Sequence, residues 1–444
     1  MPRATALSRR QFITGCSAAV AAMAGSRLVG LSFADGAPST APAGAEAGQS
    51  GDLIVYVFLR GGMDGLNLLA PVDDADYVAA RGVDVRLGDK GDNAALPLKN
   101  APAGGEGRDF RLHPKAAALK ELYDGGHLAL VHACGLTSGT RSHFEAMDLI
   151  ERGVADMKDQ GLSTGWLARQ MIAAAQNGAR DLVPAIGTSD SPPVSLLGFG
   201  QAAAVNDIND FSFYGDERQR AVLGKLYRAS GSDGPLFSVR SAGAKALHTI
   251  ATINGKLARD GKGELLPYQP EKSATYPENN DLSGSLQTVA RLAKMDLGLR
   301  VAAVDFGGWD THQNQQNYFP TLVEQLSTAL AAFYNDMSRY RDRLTVVAMS
   351  EFGRRLKSNR SDGTDHGHGN VLLALGANVN GGRIFGAWPG LATDQLDSRA
   401  DLAVTTDYRT VLCELLARRA GNADPAAMFP RFKGYQPLGV FKEA

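Results

Sequence analysis

Acidic, hydroxyl and imidazole side chains recur in this chain at the ends of apolar, strand-like runs: Asp64, Ser142, Asp310, His312, Glu351 and His366. Carboxylate oxygens suit hard divalent cations and imidazole suits zinc and manganese, so loops that present both can build one or two metal positions. Asp64 follows the run 52–60 through Gly61 and Gly62, where glycine lets the backbone turn sharply enough to face a crevice. Asp310 and His312 stand one residue apart beyond the run 300–306 and the pair Gly307 and Gly308, a spacing that lets both point to the same side. The alternative is that Asp310 caps a helix starting near Asn314 while His312 bonds locally.

Glu351 ends a mostly apolar strand, where a carboxylate needs a cation or hydrogen bonds; Arg354 or Arg355 is the alternative to a metal. His366 and His368 flank Gly367, which can carry the chain close to a metal, and either histidine can be the ligand. Ser142 opens a helical stretch, with Glu145 three residues on, which reads as a capping box. The same position can hold an anionic tetrahedral group, because free N–H groups and the helix dipole favour negative charge there, with Arg141 adjacent and Thr140 as the alternative hydroxyl. Asp305 and Asp365 read as carboxylates that orient ligand histidines or cap turns. His143 reads as a neighbour of the site, and His113, His127, His132 and His248 as structural.

These residues need a scaffold that brings distant loops together. Strand-like runs at 53–59, 128–133, 182–187, 301–306, 344–350 and 371–376 alternate with helical patterns. Alternation of this kind predicts an α/β fold with a mostly parallel central sheet and helices on both faces, whose ligands gather where strands end. Apolar spacing predicts helices at 115–123, 318–340 and 407–418, the last N-capped by Thr406. Between about 190 and 285 the pattern loosens, apart from a helical stretch near 239–257, and reads as an insertion or cap on a single domain spanning 52–444.

The N-terminus carries a targeting signal over residues 1–34: Arg9 and Arg10, with Phe12 two positions on, precede a small-residue apolar stretch. The arginine pair looks like a twin-arginine signal, which implies export of the folded chain to the periplasm or beyond, with contact to the export machinery through the signal. An ordinary secretion signal is the alternative. The apolar run of about 14 residues falls short of the roughly 20 a spanning helix needs, and nothing in the mature chain is long and apolar enough to span a membrane. Cys16 has lipobox-like neighbours but lies too near the arginines to leave an apolar region before it. Residues 35–51 are rich in Ala, Pro, Gly and Ser and read as a flexible linker.

Lys and Arg total 46 against 47 Asp and Glu over 444 residues, a net charge of −1, which suggests neither nucleic acid nor an acidic membrane as partner. Cys134 and Cys413 sit in apolar settings and read as small core residues.

Five motifs carry a resemblance: residues 60–65 (Arg-Gly-Gly-Met-Asp-Gly), 141–148 (Arg-Ser-His-Phe-Glu-Ala-Met-Asp), 307–312 (Gly-Gly-Trp-Asp-Thr-His), 350–354 (Ser-Glu-Phe-Gly-Arg) and 363–367 (Gly-Thr-Asp-His-Gly). With them the chain resembles an uncharacterised bacterial family of twin-arginine-exported proteins in the alkaline phosphatase-like superfamily, which includes phosphatases and sulfatases. The resemblance implies an alkaline phosphatase-like fold in which Asp64 holds one metal, Asp310 and His312 hold another, Ser142 is the nucleophile, and His366 or His368 is the late histidine ligand. Glu351 takes the place of the Asp in an Asp-His pair, and Phe352 stands where the His belongs, so one ligand is lost unless His366 and His368 serve separate metals, and the resemblance leaves open one metal, two held asymmetrically, or a degenerate site. The implied chemistry is displacement at phosphorus or sulfur, with Arg141 or Arg354 clamping the anion.

The function expected is thus an exported metal-dependent hydrolase of phosphate or sulfate esters, small or polymer-borne. Zn, Mn, Mg and Ca are not distinguishable as its metal. The alternative is a non-catalytic exported binding or assembly protein with a degenerate metal site.

Overall fold

The computed structural model describes residues 51–443 apart from 100–106, 157, 159–161, 177–180, 210–215 and 229–236. The signal read over 1–34 and nearly all of the linker read over 35–51 lie outside the described residues.

Nine strands build the main sheet: β1 (Leu53–Leu59), β2 (Leu128–Gly135), β3 (Ala185–Gly187), β4 (Ala202–Ala204), β5 (Val301–Phe306), β6 (Leu344–Met349), β7 (Asn370–Gly376), β8 (Arg383–Phe385) and β9 (Thr406–Asp407). Their order is β8-β2-β7-β6-β1-β5-β3-β4, with β9 also paired to β2. Every pairing is parallel except those of β7, which runs antiparallel to both β6 and β2.

The longer central strands are mostly apolar because both faces of the sheet are covered. In β1 all seven residues are buried. Leu53, Val55, Val57 and Leu59 face one core, while Ile54, Tyr56 and Phe58 face the other, as the two-residue period of a strand requires. The first core is closed by helices α1 (Ala117–Asp124), α6 (Asp281–Lys294) and α7 (Gln315–Asp336) through Leu119, Leu286 and Phe333. The second is closed by α2 (His143–Arg152), α3 (Trp166–Gln176) and α8 (Tyr408–Arg419) through Leu149, Trp166 and Leu412.

Helix α8 is capped by Asp407, whose side chain accepts from the backbone of Arg409, while Thr406 lies in β9; the cap expected at Thr406 is one residue further on. The segment 190–285 contributes α4 (Glu217–Arg228), α5 (Phe237–Lys256) and also β4, which pairs with β3 and extends the sheet itself. Cys134 and Cys413 are both buried and free. No helix among the described residues is long and apolar enough to cross a membrane.

Candidate metal centre

The loops that leave β1, β2, β5 and β6 emerge at one edge of the sheet, and the reversed β7 starts at that same edge. Carboxyl ends of parallel strands are where such sheets place ligands. Close contact between these loops depends on glycine. Gly61 and Gly62 follow β1 at φ of +121° and +64°, and a Cβ on Gly61 would lie 2.7 Å from the amide nitrogen of Asp310.

Here three imidazoles converge on one carboxylate oxygen. Oδ1 of Asp310 lies 3.4 Å from Nε2 of His143, 3.1 Å from Nε2 of His312 and 3.2 Å from Nε2 of His366. Each ring is held from behind. Nδ1 of His143 meets Oε1 of Glu351 at 2.7 Å, Nδ1 of His312 meets Oδ1 of Asp365 at 3.0 Å, and Nδ1 of His366 meets the carbonyl of Arg141 at 2.8 Å. Ionised carboxylates and carbonyls only accept, so each Nδ1 donates and each neutral ring turns an Nε2 lone pair toward the others.

Three lone pairs facing inward call for a cation. Nε2 of His312 and Nε2 of His366 are 2.8 Å apart, and Nε2 of His143 is buried with no hydrogen-bond partner. A tetrahedral zinc at about 2.0–2.2 Å from its ligands sets those ligands about 3.3–3.6 Å from one another, close to the spacing around Asp310. The residues therefore fit a divalent ion. Among the described residues, His143, Asp310 and His366 form the group whose ligand atoms all lie within 4.8 Å of one another, with His312 adjoining it.

The electrostatics divide the rings. The hydrogen bond to Glu351 raises the pKa of His143 against the effect of burial. Burial lowers that of His366, with the nearby Arg354 charge acting in the same direction. Partial burial pushes the Asp310 carboxyl up, but the hydrogen bond and charge of Arg354 outweigh it and hold the group at about 2. Asp310 thus stays anionic over the whole neutral range.

The other residues singled out in the sequence take different places. Asp64 is not with the cluster: Arg81 grips both of its oxygens at 2.5 and 2.9 Å, and Gln315 donates to it at 2.7 Å. The side chains of Asp64 and Arg81 are fully buried, so the carboxylate expected to hold a metal is neutralised by a guanidinium instead. Glu351 is likewise buried, accepting from the backbone of Gly61 and from Ser350 as well as facing His143. It orients a cluster histidine rather than entering the cluster, and neither Arg354 nor Arg355 is its partner.

His368 turns away, toward the carbonyl of Leu136 and the carboxylate of Asp397. Of the two guanidiniums expected to clamp an anion, Arg141 is bound to Asp397 and Asp401. Arg354 is buried and spends its donors on Asp310 and on carbonyls of Gly61, Gly62, Trp309 and Thr364. Ser142 occupies the N-cap of α2 without a side-chain capping bond, and Glu145 accepts from Thr140 rather than completing a capping box. Asp310 caps no helix, since α7 begins beyond Asn314. Asp305 pairs with Arg60. Phe352 packs its ring 4.8 Å from that of His143 and 5.0 Å from that of His366, forming an apolar wall.

His143, a neighbour of the site on the sequence, is one of the three converging rings, and Arg81 has no role legible there. For His143 the signal was present: an imidazole beside Ser142 at the start of a helix, equally placed to face the crevice. For Arg81 there was none, because the pairing spans 17 residues and a separate short helix, Ala75–Ala80.

No curated protein matches the sequence. Solved structures similar to the chain include the PsFucS1 sulfatase from Pseudoalteromonas sp., at 10% identity over 89% of this chain and 74% of that one, with a TM-score of 0.38. A phosphonate monoester hydrolase of Agrobacterium radiobacter is similar at 11% identity over 83% and 74%, with a TM-score of 0.34. A TAB5 alkaline phosphatase variant with Mg bound is similar at 10% identity over 76% and 95%, with a TM-score of 0.33. Residues 269–428, which hold Asp310, His312, Glu351 and His366, match the model of the family described as Protein of unknown function (DUF1501).

Proposed function

We propose that this protein is an exported, metal-dependent hydrolase of phosphate or sulfate esters. One observation carries the reading: three histidines with Nδ1 anchored to acceptors turn their Nε2 atoms toward Asp310 Oδ1. His143, Asp310, His312 and His366 would hold the ion, with Glu351 and Asp365 fixing two of the rings. A divalent ion there supplies a Lewis acid that offsets the charge of the transferring group.

Ser142 is the nucleophile in this reading. Its side chain makes no capping bond, and it precedes His143 at the start of the ten-residue helix α2, whose N-terminus favours the anionic group. The bond from Oγ to phosphorus or sulfur forms as the ester bond breaks, and the hydroxyl proton leaves on the alcohol. Water then releases the free anion and restores the hydroxyl. Phe352 keeps one side of the cluster apolar.

The test is metal analysis of the purified mature chain together with turnover of aryl phosphates and aryl sulfates. At least one divalent ion per chain, lost in Asp310→Ala, and turnover lost in Ser142→Ala are expected. Metal content below one ion that Asp310→Ala leaves unchanged overturns the reading.

A second reading, a non-catalytic exported binding or assembly protein, is favoured by the engagement of both Arg141 and Arg354, which leaves neither guanidinium free for an anion. Turnover by the wild type but not by Ser142→Ala rejects it.

A further inference from the structure

A second crevice opens along the same sheet edge. It has a volume of about 720 Å³ and lies beyond the ends of β3 and β4, with Asp305 of β5 in its wall and the first turns of α6 opposite. That volume falls in the range of about 300–1,000 Å³ usual for small-molecule sites, but the lining is unlike the apolar one such sites usually have. Thr188, Asp190, Asn206, Asn209, Gln287 and Arg291, which carry hydroxyl, carboxamide or charged groups, all line it.

The charges narrow the ligand. Asp190, Asp207, Asp281 and Asp305 all line the crevice, against the single cation Arg291, which donates to Asn209 at 2.9 Å. A phosphate or other anion would meet net repulsion there. Three of the carboxylates are also engaged, Asp190 by Asn206 at 3.1 Å, Asp207 by the backbone N–H of Asn209 at 2.8 Å and Asp305 by Arg60 at 2.9 Å, so they are held as fixed acceptors rather than as a free cation cage. Interleaved donors and acceptors of this kind match a ligand that presents many neutral hydroxyls. Thr188 supplies a separate sign of a missing partner: it is 6% exposed, and its hydroxyl has no hydrogen-bond partner.

We propose that this crevice binds a neutral saccharide, whose hydroxyls pair with its carboxamides and carboxylates. The site is distinct from the histidine cluster but linked to it covalently, since Asp305 of the crevice and Asp310 of the cluster lie on one strand and the loop that leaves it. Binding here requires no metal and no turnover, so the proposal is independent of the hydrolase reading.

The experiment is retention of the mature chain on an array of neutral gluco-, galacto- and manno-oligosaccharides. Two variants accompany it. A Cβ on Gly284 of α6 meets nothing within 4 Å, so Gly284→Trp fills the crevice without displacing backbone. Thr188→Val removes a hydroxyl that has no partner within the protein and so does not lower the melting temperature.

Retention of at least one oligosaccharide class by the wild type is expected, weakened at least tenfold by Gly284→Trp and measurably by Thr188→Val. No retention by the wild type, or retention by Thr188→Val and Gly284→Trp equal to that of the wild type, overturns the proposal. A rise in melting temperature with calcium alone, absent in Gly284→Trp and with no oligosaccharide retained, makes the crevice a cation site and overturns it as well.

Discussion

Glu351 and His143 meet at 2.7 Å, the carboxylate sealed inside the protein and the imidazole reaching from it toward Asp310. The carboxylate fixes which ring nitrogen is free and raises the basicity of that nitrogen. Glu351→Gln keeps the shape but removes the charge. Chelator competition should show metal affinity lowered about 10- to 100-fold, with the circular dichroism spectrum unchanged. Unaltered affinity would mean that His143 is not a ligand.

Asp64 and Arg81 give the opposite expectation. Because both are fully buried and paired, removing one strands the other. Arg81→Met should cost about 3–5 kcal/mol in urea unfolding, and adding Asp64→Asn to it should recover much of that loss. Asp64→Asn alone should leave the number of bound ions per chain unchanged, whereas a drop would place Asp64 in the metal site.

Gly61→Ala tests the close approach of two loops. The added methyl would sit 2.7 Å from the amide nitrogen of Asp310 in a backbone conformation that side chains rarely adopt. The variant should lose more than about 1 kcal/mol of stability, because neither the strain nor the clash can be relieved by a side-chain rotation. Metal affinity should fall with it, since Asp310 is the residue displaced.

Stability should also depend on pH through a histidine outside the cluster. Burial beneath Phe319 lowers the pKa of His113 from 6.5 to about 4. Below 6.5 the unfolded chain takes up a proton that the folded chain refuses, so stability falls as pH drops from about 6.5 toward 4, by at most about 3 kcal/mol. His113→Asn retains an acceptor for the backbone N–H of Lys115, which now bonds to Nδ1 of the ring, and should flatten this part of the profile in urea titrations between pH 4 and 7.

The scaffold was largely legible because its strongest signals are local. Runs such as 53–59 and 301–306 appear as strands with the expected bounds, since a strand buried on both faces is apolar at most positions and needs no partner to be recognised. The orientation of β7 was not legible, because the run 371–376 reads alike in either direction. Within the site, Asp310, His312 and His366 announced themselves by standing beside glycine turns at strand ends. Asp64 did so equally well and lies elsewhere, because its fate depends on a guanidinium from another segment. Glu351 and Phe352 show the same limit: their roles, behind one ring and against two, follow from tertiary placement.

The reversed strand sets the order in which this molecule can be completed. β7 lies between β6 and β2, so the strand 128–135 cannot join its neighbours in the sheet until residues 370–376 have been made. An early strand thus waits on a late one, and a contact of such long range is slow to form and leaves edges exposed meanwhile. His366 arrives with that same late stretch. A chain halted before it has neither a continuous sheet nor the full set of imidazoles that surrounds Asp310.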